Sequence, residues 1–296
     1  MSGPSIHAVV NPAKVRRAAR FRTIVDGALA ARGLPPARYL LTTVERPGAG
    51  QAQDALDAGA SRVLVAGGDG TVRMVLGALQ GTGVPVGILP AGTGNVLARN
   101  LGLPRRLREA VDVALDGRPL PMDLLRYEVP GTGASGYAAI MAGLGADAAV
   151  VADAEPVKRF GQLGYMLAGL RHVRTRPVRT RVSVDGEELT RDASLVEVGN
   201  FGELLTGLHL LPGAEGSDGS LDVLVASPRR RWEVLRMAAG VLLRSNRIPQ
   251  VDRRAGRSVV VRCAEPVPCQ VDGDLIGAVT EIRFEVLPGA ASVACR

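Results

Sequence analysis

From Ile6 to Leu120 the chain alternates two hydrophobic rhythms. Short apolar runs at Ile6–Asn11, Tyr39–Val44, Arg62–Ala66 and Val84–Leu89 predict strands. Between and after them, Ala13–Arg32, Gln51–Ala60, Val72–Leu79, Val96–Leu101 and Leu107–Leu115 predict helices. In the first of these, Phe21, Ile24, Val25 and Leu29 share one side and Gly33 ends the pattern. This strand–helix rhythm predicts a parallel sheet covered on both faces.

After Pro121 the rhythm changes. Met122–Val129, Tyr137–Ala142, Val178–Val184, Leu195–Val198, Leu221–Ala226, Ser258–Cys263 and Glu281–Val286 all predict strands. Several alternate residue by residue, as in Val178-Arg179-Thr180-Arg181-Val182-Ser183-Val184. Two helices interrupt them, near Gly161–Val173 and Arg231–Leu243. Many short strands joined by Gly-rich turns predict a mainly antiparallel β-sandwich. The expected organisation is an α/β domain over 1–122, a sandwich domain over 123–286, and a tail at 287–296 that returns to the first domain.

Composition narrows the class. With 46% hydrophobic and 22% charged residues the 296-residue chain supports two soluble cores. No apolar stretch is long enough for a membrane span, and the first ten residues lack the pattern of a signal peptide. The expected location is cytoplasmic. Cys263, Cys269 and Cys295 form no CxxC pair, which argues against a disulfide framework or a zinc site. His7, His172 and His209 are scattered outside any triad or metal spacing, and no G-x-S-x-G elbow is present.

The net charge is +7, and all but Lys14 and Lys158 of the 36 basic residues are arginine. Lys14 precedes Val15 and Lys158 precedes Arg159, so neither belongs to a Walker A loop or to a protein-kinase strand. Any ATP chemistry needs another architecture. The positive charge concentrates between Arg229 and Arg257, where nine arginines face two acids. Such a patch suits an anionic membrane surface or nucleic acid. Aromatics at 3% disfavour stacking on single strands, and nucleic acid is not the expected partner.

Two segments carry chemistry. Gly67-Gly68-Asp69-Gly70-Thr71 lies where a strand meets a helix. Glycines let backbone approach phosphate closely, and a helix N-terminus offers N–H groups to an anion. Asp69 would repel phosphate unless Mg²⁺ intervenes. By itself the segment also fits a plain strand-to-helix turn. Leu89-Pro90-Ala91-Gly92-Thr93-Gly94-Asn95 repeats the arrangement one strand later. Adjacent loops at the carboxyl ends of parallel strands form a ligand crevice. Neither loop is a complete dinucleotide fingerprint.

These two segments, followed by Leu97-Ala98-Arg99 and Leu101-Gly102, resemble the diacylglycerol kinase catalytic domain, whose family includes bacterial lipid kinases and sphingosine kinases. The resemblance extends to Asn11-Pro12, Asp123-Leu124, Ala142–Ala148, Gly199-Asn200, Pro212, Asp218–Asp222 and Val271-Asp272-Gly273-Asp274. Departures are Ala13-Lys14 for the family's small-Gly pair, Met74 for a common Glu, a reduced glycine cluster at Leu205-Thr206-Gly207, and Asp274 for a terminal Glu.

The resemblance implies an ATP-dependent lipid kinase that acts on a hydroxyl of diacylglycerol or a related lipid, with Mg²⁺ as cofactor. It implies nucleotide contacts at Asn11, Thr43, Gly67, Gly68, Asp69, Gly70, Thr71, Gly92, Thr93 and Asn95. Asp274 becomes the general base in a crevice between the domains, and Asp69 the second catalytic residue. A structural Mg²⁺ would take the Asp218 carboxylate with oxygens of Glu215 and Ser220. Asp218-Gly219 also fits an ordinary hairpin turn, and so does Asp272-Gly273-Asp274. The expected partner is a lipid at a membrane surface, met peripherally through the Arg229–Arg257 region. An NAD kinase-like or sugar kinase, or a family member that binds nucleotide or lipid without turnover, are the competing readings. The particular lipid and the oligomeric state stay open at this point.

Overall fold

The computed structural model describes residues 4–145, 148, 177–205, 208–242 and 248–296. The helix expected at Gly161–Val173 lies outside them, as do Ala146, Asp147, Thr206 and Gly207. The chain divides into two compact units, one formed by Met1–Asp123 with Pro288–Arg296 and the other by Leu124–Leu287.

The first unit is built on strands β1 (Ile6–Val10), β2 (Arg38–Leu41), β3 (Arg62–Gly67) and β4 (Val86–Pro90). Their order is β2-β1-β3-β4, all parallel. Val63 to Gly67 of β3 are all buried, as a central strand covered on both faces requires. Helices α1 (Ala18–Ala30), α2 (Ala49–Asp57), α3 (Asp69–Ala78), α4 (Val96–Asn100) and α5 (Leu107–Asp116) follow the strands in turn. Phe21, Val25 and Leu29 of α1, four residues apart, pack with Val10, Leu64, Leu89 and Val111 in one core.

The second unit opens within β5 (Arg118–Val129), which pairs with β6 (Ala134–Ala138) as a hairpin. There follow β7 (Met141–Gly145), β8 (Val178–Val184), β9 (Glu187–Ala193), β10 (Leu195–Gly199), β11 (Glu203–Leu205), β12 (Leu208–His209) and β13 (Leu221–Ala226). Helix α6 (Arg231–Leu242) leads to β14 (Val251–Gly256), β15 (Ser258–Val271) and β16 (Asp274–Cys295). The ladder β14-β13-β10-β7-β15-β16 is antiparallel throughout. A second face is added where β8 pairs with β15 and β9. Thr180, Val182 and Val184 of β8 are buried, as the alternation predicts, and the two valines join a core with Leu144, Val196, Val223, Val261 and Ile282. The end of β16 belongs to the first unit, where Val293 runs parallel beside Val86.

The mixed α/β class is as expected, and one expected strand differs for a physical reason. The strand expected over Tyr137–Ala142 is broken at Ala139-Ile140, because the Asp272 carboxylate takes the N–H groups of Ala139, Ile140 and Met141 at 2.8, 2.9 and 2.9 Å. The polar β9 pairs with β8 alone. The arginine-bearing β14 is the end strand of its ladder. Among the described residues no helix is long and apolar enough to cross a membrane.

Candidate active site

In the first unit the two Gly-rich loops meet backbone to backbone. A Cβ on Gly92 would lie 2.6 Å from the Gly68 Cα, and one on Gly67 would lie 2.6 Å from the Thr71 Cβ. A side chain at Gly92 would force the two loops apart, and one at Gly67 would collide with Thr71 inside its own loop. The Ala91 N–H donates to the Gly67 carbonyl at 3.0 Å and locks the strand ends in register.

Polar side chains complete the frame. Asn11, at the end of β1, accepts the Ala13 N–H at 3.0 Å and donates from Nδ2 to the Thr71 hydroxyl at 3.1 Å. Thr71 is therefore buried and turned toward Asn11. Asn95 adopts the left-handed conformation, φ 47° and ψ 47°, which asparagine tolerates better than most residues. Its amide clamps Gly92 from both sides: Oδ1 accepts the Gly92 N–H at 2.8 Å and Nδ2 donates to the Gly92 carbonyl at 2.7 Å. Thr93 is exposed at the tip of this loop.

Asp69 does work that sequence reasoning missed. Its Oδ1 accepts the Leu97 N–H at 3.1 Å, so it caps α4 from the first residue of α3. Burial pushes its carboxyl above the usual range, while the N–H groups of Leu97 and Val96 and the charge of Arg99 pull it back. The first-turn N–H groups of α3 have no partner within the helix and lie at the same loop, together with the positive end of the helix dipole. Backbone donors beside tight glycine turns suit a phosphate chain.

Thr43 lies past the end of β2, exposed, in a turn closed by its own groups. Its N–H donates to the Arg46 carbonyl at 3.0 Å, and its Oγ accepts the Arg46 N–H at 3.1 Å. This turn leads to Gly48, where a Cβ would meet the Thr71 carbonyl at 3.2 Å. Asn11, Gly67–Thr71, Gly92–Asn95 and the Thr43 turn therefore belong to one end of the parallel sheet.

In the second unit Asp272 and Gly273 form a two-residue hairpin loop between the paired residues Val271 and Asp274. Both loop residues have positive φ, 48° and 85°. Asp272 is spent on the three backbone N–H groups of the β6–β7 break. Asp274 stands at the start of β16 with its side chain exposed, next to the half-exposed Leu275.

The expected metal ligands occupy the loop before β13. The Glu215 carbonyl accepts the Ser217 N–H at 2.8 Å, and Asp218 Oδ1 accepts the Ser220 N–H at 2.9 Å. The Ser220 hydroxyl donates to the Gly256 carbonyl at 3.3 Å. Burial and the charge of Asp218 push Asp222 up to about 6. Among the described residues no group of three His, Cys, Asp or Glu side chains is placed to hold a metal. A cation here would rely on Asp218, backbone oxygens and water, a hard donor set that fits Mg²⁺.

A parallel unit with two phosphate-type loops, joined to an antiparallel sandwich, is the fold shared by diacylglycerol kinases and NAD kinases. Residues 6–127 match the diacylglycerol kinase catalytic domain, and residues 138–295 match the YegS C-terminal NAD kinase beta sandwich-like domain. A diacylglycerol kinase of Mycobacterium tuberculosis is 34% identical over 221 residues, covering 73% of this chain and 71% of that one. A diacylglycerol kinase from Bacillus anthracis superposes with a TM-score of 0.73 at 18% identity, over 100% of this chain and 98% of the other. Yeast NADH kinase shares the fold at a TM-score of 0.54 and 13% identity, over 99% and 83% of the two chains. The chain belongs to the diacylglycerol kinase family, phosphotransferases whose acceptor is an alcohol group.

Proposed function

We propose that the chain transfers the γ-phosphoryl group of ATP to a hydroxyl of diacylglycerol or a related lipid. The observation that carries this reading is the Gly68–Gly92 contact, which sets two Gly-rich strand-to-helix loops side by side in the unit that matches the diacylglycerol kinase catalytic domain. The α3 N–H groups and the backbone of Gly67–Gly70 and Gly92–Gly94 hold the phosphates, with Thr43, Thr71, Thr93 and Asn95 around the nucleotide. Asn11 and Asn95 act mainly by fixing the loops. Phosphoryl transfer asks chiefly for such positioning and charge neutralisation. Asp274 accepts the proton of the lipid hydroxyl. ATP consumption with and without a mixed lipid extract tests the reading; consumption that ignores lipid and rises with NAD would favour an NAD kinase instead.

Mg²⁺ is the implied cofactor, and Glu215, Asp218 and Ser220 would hold a structural ion. When bound, the ion would supply positive charge against Asp218 and, through it, relieve Asp222. A carboxyl whose folded pKa is raised binds a proton on folding. Stability then falls as pH climbs from about 4 through about 6, and the cost is complete above that window. Added Mg²⁺ is therefore expected to raise Tm more at about pH 7 than at about pH 5. Thermal melts of wild type and Asp218→Asn check this. An equal rise in both proteins would remove Asp218 from the site.

Docking at an anionic membrane completes the reading. Helix α6 is anchored by Met237, which packs with Leu211, Leu224, Ala226 and Ile248. That leaves Trp232 half-exposed beneath the Arg236 guanidinium, 5.1 Å from the ring centroid. Glu233 accepts the N–H groups of Arg229 and Arg230 at 2.6 and 3.1 Å, and both arginines are exposed. Each arginine near an anionic surface contributes about 1 kcal/mol. Co-sedimentation is expected with anionic vesicles only, falling as salt rises and weakened by Arg229→Ser with Arg230→Ser. Equal binding to neutral vesicles would refute it.

A further inference from the structure

Asp274 stands just past the tight Asp272-Gly273 loop, and the backbone of that loop is held from two sides. On one side the Asp272 N–H donates to the Met141 carbonyl at 2.9 Å, beside the three bonds that its carboxylate accepts. On the other, Gln270 Oε1 accepts the Gly273 N–H at 2.7 Å. Gly273 belongs to no ladder pair, so this side chain takes the place of a strand partner.

Gln270 is only 2% exposed, and its neighbours Cys269 and Val271 are fully buried in the apolar core. It sits opposite Leu275 of β16 and beside Gly143 of β7. Burying an amide costs stability unless it is hydrogen-bonded, and an apolar side chain would fill the position without that cost. The bond to Gly273 gives the amide a use that an apolar residue lacks.

The register of the hairpin shows what that use is. Cys269 pairs with Gly277, but Gln270 pairs with Leu275. Ile276 is therefore an extra residue, a β-bulge, and Gly277 after it takes φ 102°. Without the bulge Gln270 would face Ile276, Val271 would face Leu275, and Asp274 would drop into the loop. With it, Asp274 is paired with Val271. A slip of one residue moves a side chain to the other face of the sheet, so a bond that holds the register also aims Asp274.

We propose that Gln270 is a positioning residue for Asp274, acting through the Gly273 N–H to hold the two-residue loop and so fix where the Asp274 carboxylate stands. This rests on Asp274 being the base of the proposed phosphoryl transfer. Misplacing a reacting group by about 1 Å can cost about 10²-fold in rate, so a single loop bond is enough to matter.

The test is steady-state kinetics of the whole chain with γ-labelled ATP and a saturating lipid extract, with thermal melts beside it. Gln270→Met keeps the length and fills the space, but takes away the acceptor for Gly273. It is expected to lower kcat at least about tenfold and to leave KM for ATP within about twofold, since only the placement of the base changes. Gln270→Asn keeps a buried amide but draws it back by one methylene. It should lose kcat in the same way, and it carries the comparison if the Met variant melts low. In an Asp274→Asn background, Gln270→Met should lower kcat by less than about twofold more, because a residue that acts through another has nothing left to act on. Full kcat in folded Gln270→Met or Gln270→Asn would overturn the proposal while leaving the base in place. A further loss of about tenfold on top of Asp274→Asn would overturn it too, by showing that Gln270 acts elsewhere. Full kcat in Asp274→Asn alone would instead remove the base, and this proposal with it.

Discussion

Asp274→Asn is expected to lower kcat by about 10²–10⁴, the usual contribution of a positioned base, with the protein still folded. The side chain is exposed at the first residue of β16, so an isosteric amide disturbs no core. Its neighbour two residues back should behave in the opposite way. Asp272 accepts three backbone N–H groups, and Asp272→Ala would leave those donors at the β6–β7 break unsatisfied. Hydrogen bonds to a charged group contribute roughly 1.5–3 kcal/mol each before relaxation, so a clear fall in Tm is expected. Steady-state kinetics and melts on the two variants separate the chemical carboxylate from the structural one. Full kcat in Asp274→Asn would end the base assignment.

Asp69→Ala is expected to abolish turnover, and the geometry shows how to tell chemistry from architecture. The carboxylate caps α4 through the Leu97 N–H, and losing a cap costs about 0.5–2 kcal/mol. Asparagine is an equally good cap but carries no charge. Asp69→Asn should therefore keep a near wild-type Tm while losing most of its kcat. If it instead keeps both, Asp69 serves only to hold the Gly92–Asn95 loop, and the catalytic role falls away.

Much of the parallel unit was legible because its signals are local. Arg62–Gly67 is a short apolar run ending in glycines, and such a run reads as a buried strand wherever it occurs. The loops at Gly67–Thr71 and Gly92–Asn95 are likewise local, since tight turns need glycine whatever the rest of the chain does. What sequence reasoning missed depends on partners far along the chain. Asp69 caps a helix 28 positions on, and Asp272 breaks a strand more than 130 positions earlier. The Asp-Gly pair at 272–273 did signal a hairpin, but not what its carboxylate would bind. Strands β9 and β14 carry Glu187-Glu188 and Arg253-Arg254, and their strand character comes from pairing with β8 and β13 rather than from an apolar pattern. In α6, Met237 packs inward while Trp232 stays half-exposed, and the partners that decide this, Leu211, Leu224 and Ile248, come from other parts of the chain.

The central claim is phosphoryl transfer from ATP to a lipid hydroxyl, and the most direct measurement follows the label itself. The purified chain is incubated with γ-labelled ATP, Mg²⁺ and a panel holding diacylglycerol, a sphingoid base, ceramide and a phospholipid, and the organic phase is resolved. The account predicts a labelled, organic-soluble phospholipid that depends on one panel member and vanishes in Asp274→Asn. Label confined to the aqueous phase with every lipid, while the folded protein still binds ATP, would contradict it.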